Sequence, residues 1–282
     1  MDISNYKYLG FGGYKFYDFE MLFRHLGIQD MVSIERDADL FGRCVFNKPF
    51  EFIEFVEGDL QDFLTASTFS KPLVAWLDFD SPVSKETVGA ILAVGAKLPA
   101  DSFVFATLDA RMPESYRDYN VNERRAELQN ELEGYALIQR DEDLEIDNFP
   151  ILAERIAWAA LTGSLSRRVG LSYLPLVRVF YKDSAPMLTV GAALCSADRL
   201  QKLRSKIAPT LSFLAPDNSA PPYTIPPFNL TQRERYLLDK LATGSDDSGV
   251  RKQLVRIGID DVTIDEYKRV IRFIPKYVET YL

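Results

Sequence analysis

Three glycines and five carboxylates recur at one kind of place in this chain, just after a short apolar run. Gly10, Gly12 and Gly13 follow "YKYL", and Glu35 ends "MVSIE". Asp59 follows "EFIEFVE", Asp78 and Asp80 close "PLVAWLDFD", and Asp109 closes "SFVFATLDA". If the runs are parallel strands, all of these residues fall on one sheet edge, the edge where α/β proteins bind ligands. A carboxylate ending the second strand can accept hydrogen bonds from both hydroxyls of a ribose, and it is hostile to a 2′-phosphate. One just after the third strand can take the amino group of adenine. Asp78 and Asp80 stand two apart, so in an extended strand they project together while Phe79 points away. Two close carboxylates do not both ionise cheaply, so one of them can serve as general base for a hydroxyl or an amine. Each residue also has a plainer use. The glycines allow positive φ in a turn, Glu35 suits a first helical turn, and Asp59 can cap a helix beginning at Leu60. Asp80 before Ser81-Pro82 can open a turn, and Asp109 reads as a turn residue. A Mg²⁺ at Asp78, Asp80 and Asp109 would rest on the acid cluster alone, and no metal is assigned.

The elements that must position these groups follow from apolar spacing. Short apolar runs at 6–9, 31–35, 51–57, 72–80 and 102–110 read as strands. The run at 72–80 is apolar throughout, as a strand buried on both faces should be. Between them lie helix-like stretches. Phe16, Phe19, Leu22, Phe23 and Leu26 have three-four spacing, with Gly27 as C-cap, and Ser84 can cap a helix over 84–98. This alternation predicts an α/β fold with an open parallel sheet. The charged stretch 113–147 holds one helix and suits a cover over the acceptor. An amphipathic helix over 148–169 precedes two strands, 172–181 and 186–195, joined by "KDSA" as an antiparallel hairpin. "SAPPYTIPPF" reads as an extended linker. Three short helices follow, the first with a capping box at Thr231–Glu234. The expected division is a domain at 1–215, a proline-rich linker at 216–228 and a helical module at 229–282.

Several function classes are disfavoured. The 282 residues carry a net charge of −8, which opposes non-specific nucleic-acid binding. His25 is the single histidine, and Cys44 and Cys195 are the two cysteines. With no G-x-S-x-G turn, this leaves no hydrolase triad and no ordinary zinc site. The Arg167-Arg168 pair and "RLQKLRSK" read as solvated faces. The start lacks the pattern of a signal peptide, and no run of about 18 apolar residues suggests a membrane span. The expected setting is cytoplasmic, with reduced thiols.

Position 15 is Lys15, so the G-x-G-x-x-G of dinucleotide sites fails. So many carboxylates would repel a pyrophosphate but not a phosphate-free adenosine bearing a positive charge. S-adenosylmethionine is such a ligand. The order of elements, ending in the hairpin "LPLVRVFYKDSAPMLTVGAAL", resembles class I S-adenosylmethionine-dependent methyltransferases over roughly residues 6–196. "YLGFGG", "MVSIERD", "FNKPFEFIE" and "VAWLDFDSP" are similar to a bacterial group described as putative O-methyltransferases. The resemblance implies a Rossmann-like methyltransferase fold, a seven-stranded sheet with an antiparallel end. With the strand-end positions it points to cofactor contacts at Gly10, Gly12, Gly13, Glu35 and Asp59, and the paired carboxylates of Asp78 and Asp80 are the candidate catalytic residues. Two positions depart from the family pattern. Tyr8 stands where an acid is usual and Tyr14 where a third glycine is usual; Asp18, one helical turn on, can replace the missing charge. "LDFDSP" also differs from the motif of DNA amino-methylating enzymes. A methyltransferase of unidentified acceptor is the first reading. The alternative is a catalytically inactive scaffold or cofactor sensor that meets a partner protein through its C-terminal helices, and Tyr8 and Tyr14 favour it. Hydride transfer with a nicotinamide cofactor is disfavoured by the failed glycine pattern and the terminal hairpin.

Overall fold

A computed structural model of the chain describes residues 2–182, 185–207, 222–225, 228, 230–244 and 248–271. It divides into two compact units, Met1–Ile225 and Pro226–Leu282.

The first unit is built on one eight-stranded sheet. Its strands are β1 (Lys7–Gly10), β2 (Asp30–Glu35), β3 (Ile53–Glu57), β4 (Leu73–Pro82), β5 (Phe103–Asp109), β6 (Leu171–Lys182), β7 (Pro186–Ser196) and β8 (Tyr223–Ile225). Their order is β3-β2-β1-β4-β5-β7-β6-β8. β1 to β5 run parallel, while β7 is antiparallel to both β5 and β6. The order reverses beside β1, which pairs with both β2 and β4. Such a reversal opens a crevice at the strands' carboxyl ends.

Among the described residues seven α-helices belong to this unit: α1 (Tyr17–Leu26), α2 (Ala38–Asn47), α3 (Leu60–Ala66), α4 (Lys85–Lys97), α5 (Val121–Leu132), α6 (Phe149–Gly163) and α7 (Ala197–Ile207). Leu60, Ile91 and Ile156 of α3, α4 and α6 pack with Leu9, Leu77 and Val104 in one core. On the other face Phe19 and Leu22 of α1 and Cys44 of α2 pack with Tyr8, Met31 and Val74. Successive β4 residues alternate between the cores, with Leu73, Ala75 and Leu77 in the first and Val74 in the second. Both faces are covered, which is why the strand reads as an unbroken apolar run. Each fully buried Leu or Ile of this kind contributes about 1.5–3 kcal/mol.

The expected α/β class holds, with four differences of detail. The sheet has eight strands instead of seven, because Tyr223–Ile225, inside the segment read as linker, pairs with Val179–Tyr181 of β6. Aromatic and β-branched residues suit that open edge; most of the remaining linker lies outside the described residues. α1 begins at Tyr17, one residue past the first apolar position of the spacing, because Phe16 is left-handed at φ 51° and its buried ring sits among Phe19 and Phe55. α6 stops at Gly163, and turns follow to Gly170. No residue of the stretch 113–147, expected as a cover, lines the cleft over the strand ends. Leu128, Leu132 and Leu144 are buried in the core shared with α4 and α6. Arg124 donates to the carbonyls of Tyr116, Arg117 and Leu144, and Glu131 accepts from the Lys85 amide at the start of α4.

The second unit holds α8 (Gln232–Thr243), α9 (Ser248–Arg256) and α10 (Asp261–Val270) around Leu238, Leu241, Leu254, Ile264 and Tyr267. The Thr231–Glu234 capping box starts α8 as expected. No helix among the described residues is long and apolar enough to cross a membrane.

Candidate active site

A cleft of about 820 Å³ opens over the carboxyl ends of β1 to β4. Gly12, Gly13, Glu35, Asp59, Asp78 and Asp80 all line it; Gly10 does not. From the end of β3 to the end of β4 is three strand spacings, about 14 Å, so the acids fall along an elongated trough.

The glycine turn forms its middle. The Gly12 amide donates to Ser33 Oγ at 3.1 Å, tying the turn to β2. A Cβ on Gly12 would lie 2.7 Å from the Phe16 ring and 2.8 Å from Ser33 Oγ, so only glycine fits. Gly13 has φ 49°, a left-handed conformation that favours glycine, and a Cβ there would meet nothing within 4 Å. Gly10 serves from behind. A Cβ on it would collide with the Tyr8 hydroxyl, so its bare backbone lets the Tyr8 ring run beneath the turn.

Glu35 and Asp59 occupy one end, and each is partly used locally. Glu35 Oε1 accepts from the Asp37 amide at 2.9 Å, while Asp37 itself caps α2. Asp59 caps α3, with Oδ1 accepting from the Gln61 amide at 2.6 Å. The plainer reading of Asp59 thus describes one of its oxygens, and each carboxylate keeps a second oxygen for a ligand. Beside them Arg36 pairs with Glu86 of α4, both lining the cleft.

Asp78, Asp80 and Asp18 occupy the other end. Phe79 meets Phe11 edge-on at 5.6 Å, and both rings line the cleft together with Asp78 and Asp80. Burial raises the Asp78 carboxyl above its usual range; the Thr107 hydroxyl opposes that and the Asp80 charge adds to it. Trp76 forms the wall here, its indole N–H donating to Thr107 Oγ1 at 3.1 Å, and Thr107 meets Thr189 at 3.0 Å. Burial likewise raises Asp18, against the lowering effect of a hydrogen bond donated by the Tyr8 hydroxyl. Asp109 stays apart. It is buried and bound by the Arg111 guanidinium and amide, outside the cleft. No cluster of metal-ligating type is found among the described residues. His25 lies in the last turn of α1 and does not line the cleft.

A family model described as "Putative O-methyltransferase" matches residues 1–282. The chain belongs to that family. No curated protein matches it. Solved structures similar to this O-methyltransferase-family chain include an O-methyltransferase from Bacillus cereus in complex with S-adenosylhomocysteine (14% identity, 66% of this chain and 73% of that one, TM-score 0.37). Human N-acetylserotonin methyltransferase in complex with S-adenosylmethionine is similar at 11% identity, over 68% of this chain and 49% of that one, with TM-score 0.36. A mutant of MtNAS in complex with S-adenosylmethionine is similar at 9% identity, over 67% of this chain and 55% of that one, with TM-score 0.34. This chain therefore spans about half the length of the last two.

Sequence spacing alone did not single out Ser33, Trp76, Thr107 or the Arg36–Glu86 pair in this family member. Ser33 and Thr107 sit inside strands, where a hydroxyl carries no pattern of its own. Their use appears only once β2 lies beside the glycine turn and β5 beside β4.

Proposed function

We propose that this chain is an S-adenosylmethionine-dependent methyltransferase acting on an oxygen nucleophile, with Glu35, Asp59, Gly12 and Gly13 holding the cofactor and Asp78 acting as general base. The observation that carries the reading is the arrangement of the trough. Glu35 and Asp59 lie at one end, the turn of Gly12 and Gly13 in the middle, and Asp78, Asp80 and Asp18 at the other end. Seven carboxylates line the cleft against two cations, Lys15 and Arg36, and Arg36 is already paired with Glu86. That balance opposes a dinucleotide's pyrophosphate and suits a cationic adenosine.

The residues fit such a ligand. Glu35 keeps one oxygen for a ribose hydroxyl while its other is fixed by the Asp37 amide, so the acceptor is oriented before the ligand arrives. Bare backbone at Gly12 and Gly13 lets the ligand approach the turn closely. When bound, S-adenosylmethionine supplies a methyl group activated by its sulfonium. Asp78 faces the cleft with a raised carboxyl pKa, which makes it a stronger base than an ordinary aspartate, and it holds the proton released by the acceptor hydroxyl. Asp80 raises that basicity further by its charge. Of the two tyrosines that from sequence favoured an inactive scaffold, Tyr8 does not line the cleft, whereas Tyr14 does, with the Arg43 guanidinium over its ring at 3.7 Å.

Calorimetry on the full chain with S-adenosylmethionine, S-adenosylhomocysteine and NAD tests the reading. The two adenosyl ligands should bind and NAD should not. No heat with S-adenosylmethionine at millimolar concentration, or tighter binding of NAD, contradicts it.

A further inference from the structure

Tyr8 is fully buried, yet its hydroxyl is not spent on the core. It reaches under Gly10 and donates to Asp18, which lines the cleft from the first turn of α1. Phe19 packs edge-on against the Tyr8 ring at 4.7 Å, so the hydroxyl is held in place by the core itself. The Tyr8 hydroxyl is the hydrogen-bond donor to the Asp18 carboxylate among the described residues. Gly10, Tyr8 and the start of α1 thus form one assembly whose product is a fixed carboxylate in the trough.

That carboxylate lacks a cationic partner. Among the described residues no Lys, Arg or His side chain pairs with Asp18, and the nearby negative charge of Asp78 makes its own ionisation harder. Lys15, three residues earlier, lies over the rings of Tyr14 and Tyr17 at 5.8 and 5.7 Å. A half-buried carboxylate near a second one, with no cation of the chain paired to it, is an arrangement that a ligand cation would relieve.

Resting on the cofactor reading above, we propose that Asp18 binds the α-ammonium of the cofactor's amino-acid arm and that Tyr8 is the positioning residue that aims it. The ammonium and carboxylate of that arm share one carbon. They therefore need a carboxylate and a set of N–H donors side by side. Asp18 meets that need, because it follows directly on the turn that carries Gly12, Gly13 and Lys15. Asp78 and Asp80, on β4, do not. The chain then reads the amino-acid end of its ligand through a tyrosine–aspartate pair split between β1 and α1.

The test is calorimetry with three ligands: S-adenosylmethionine, S-adenosylhomocysteine and methylthioadenosine. The first two share the ammonium, only the first has the sulfonium, and the third lacks the amino-acid arm. Asp18→Asn should weaken the first two alike, by about 10- to 100-fold, the scale of a lost charge-assisted hydrogen bond. It should leave methylthioadenosine within about 2-fold. Tyr8→Phe, which deletes one hydroxyl, should weaken the same two by about 3- to 10-fold. Loss confined to S-adenosylmethionine would assign Asp18 to the sulfonium and overturn the proposal, as would equal loss of all three ligands or no loss at all. If either variant fails to fold, the wild type decides. An S-adenosylhomocysteine analogue with hydrogen in place of the α-amino group should bind about 10- to 100-fold more weakly than the parent, and equal binding refutes the proposal. Failure of the cofactor reading itself looks different, because the wild type would then bind none of these ligands.

Discussion

Glu35→Ala is the perturbation that most sharply separates ligand binding from helix capping. In the free protein Glu35 Oε1 accepts one hydrogen bond, from the Asp37 amide, and its other oxygen faces the cleft. The variant loses that amide contact, a cost of about 0.5–1.5 kcal/mol to folding. α2 keeps its own cap, because Asp37 Oδ1 still accepts from the Asp39 amide at 2.9 Å. The loss on the ligand side is larger. A ribose donating to a carboxylate makes charge-assisted hydrogen bonds worth about 1.5–3 kcal/mol, which corresponds to about 10- to 150-fold in affinity. Glu35→Gln keeps one oxygen and replaces the other by an amide donor, so it should lose about half as much free energy. Calorimetry with S-adenosylmethionine measures the affinity, and a thermal melt on the same samples measures the folding cost. An alanine variant that melts like the wild type and binds with unchanged affinity would refute the ribose assignment.

Asp78→Asn should leave cofactor affinity within a few-fold and lower methyl transfer to any oxygen acceptor by about 10²-fold or more. In the wild type the rate should fall as pH drops through the raised Asp78 pKa, and that acid limb should vanish in the variant when pH–rate profiles are compared. Burial pushes Asp143 up, but the Arg155 guanidinium and the Arg140 and Gln139 amides overcome it and hold the carboxyl at about 2, below its ordinary 3.8. A folded pKa below the unfolded one stabilises above about pH 4 and ceases to as pH falls toward 2. Arg155→Met should therefore cost about 2 kcal/mol at pH 7 and much less near pH 2 in denaturant melts; a pH-independent cost contradicts the assignment. Gly10→Ala drives a methyl into the Tyr8 hydroxyl, so it should destabilise the fold by about 1–3 kcal/mol in a denaturant melt and weaken S-adenosylmethionine in the same direction as Asp18→Asn. Residues 226–282 enclose their own core of Leu238, Leu254, Ile264 and Tyr267 and should give a helical circular-dichroism spectrum when expressed alone; a coil spectrum argues against an independent module.

How much of this was legible in the sequence depended on whether a signal was periodic. β4 announced itself because both of its faces are buried, and Ser84 and Thr231 marked helix starts because capping is a local contract between neighbours. The strand-end acids were legible for the same reason, since parallel strands deliver their carboxyl ends to one edge. Long-range placements left no such trace. β8 is three residues inside a proline-rich run, and its strand exists only because the edge of β6 is open beside it. The polar pattern of 113–147 hid three leucines, Leu128, Leu132 and Leu144, that anchor the stretch in the core shared with α4 and α6. Tyr8 read as a defect in a motif. Its hydroxyl bonds a residue ten positions away on the next element, and substitution patterns in a linear motif do not report that.

The most direct test of the central claim is a crystal structure of the full chain with S-adenosylhomocysteine. Density is expected along the trough, with the ribose hydroxyls on Glu35, the adenine beside Asp59 and the amino-acid arm at Gly12, Gly13 and Asp18. A ligand bound away from the glycine turn, or lying in the trough with its ribose distant from Glu35, would contradict it.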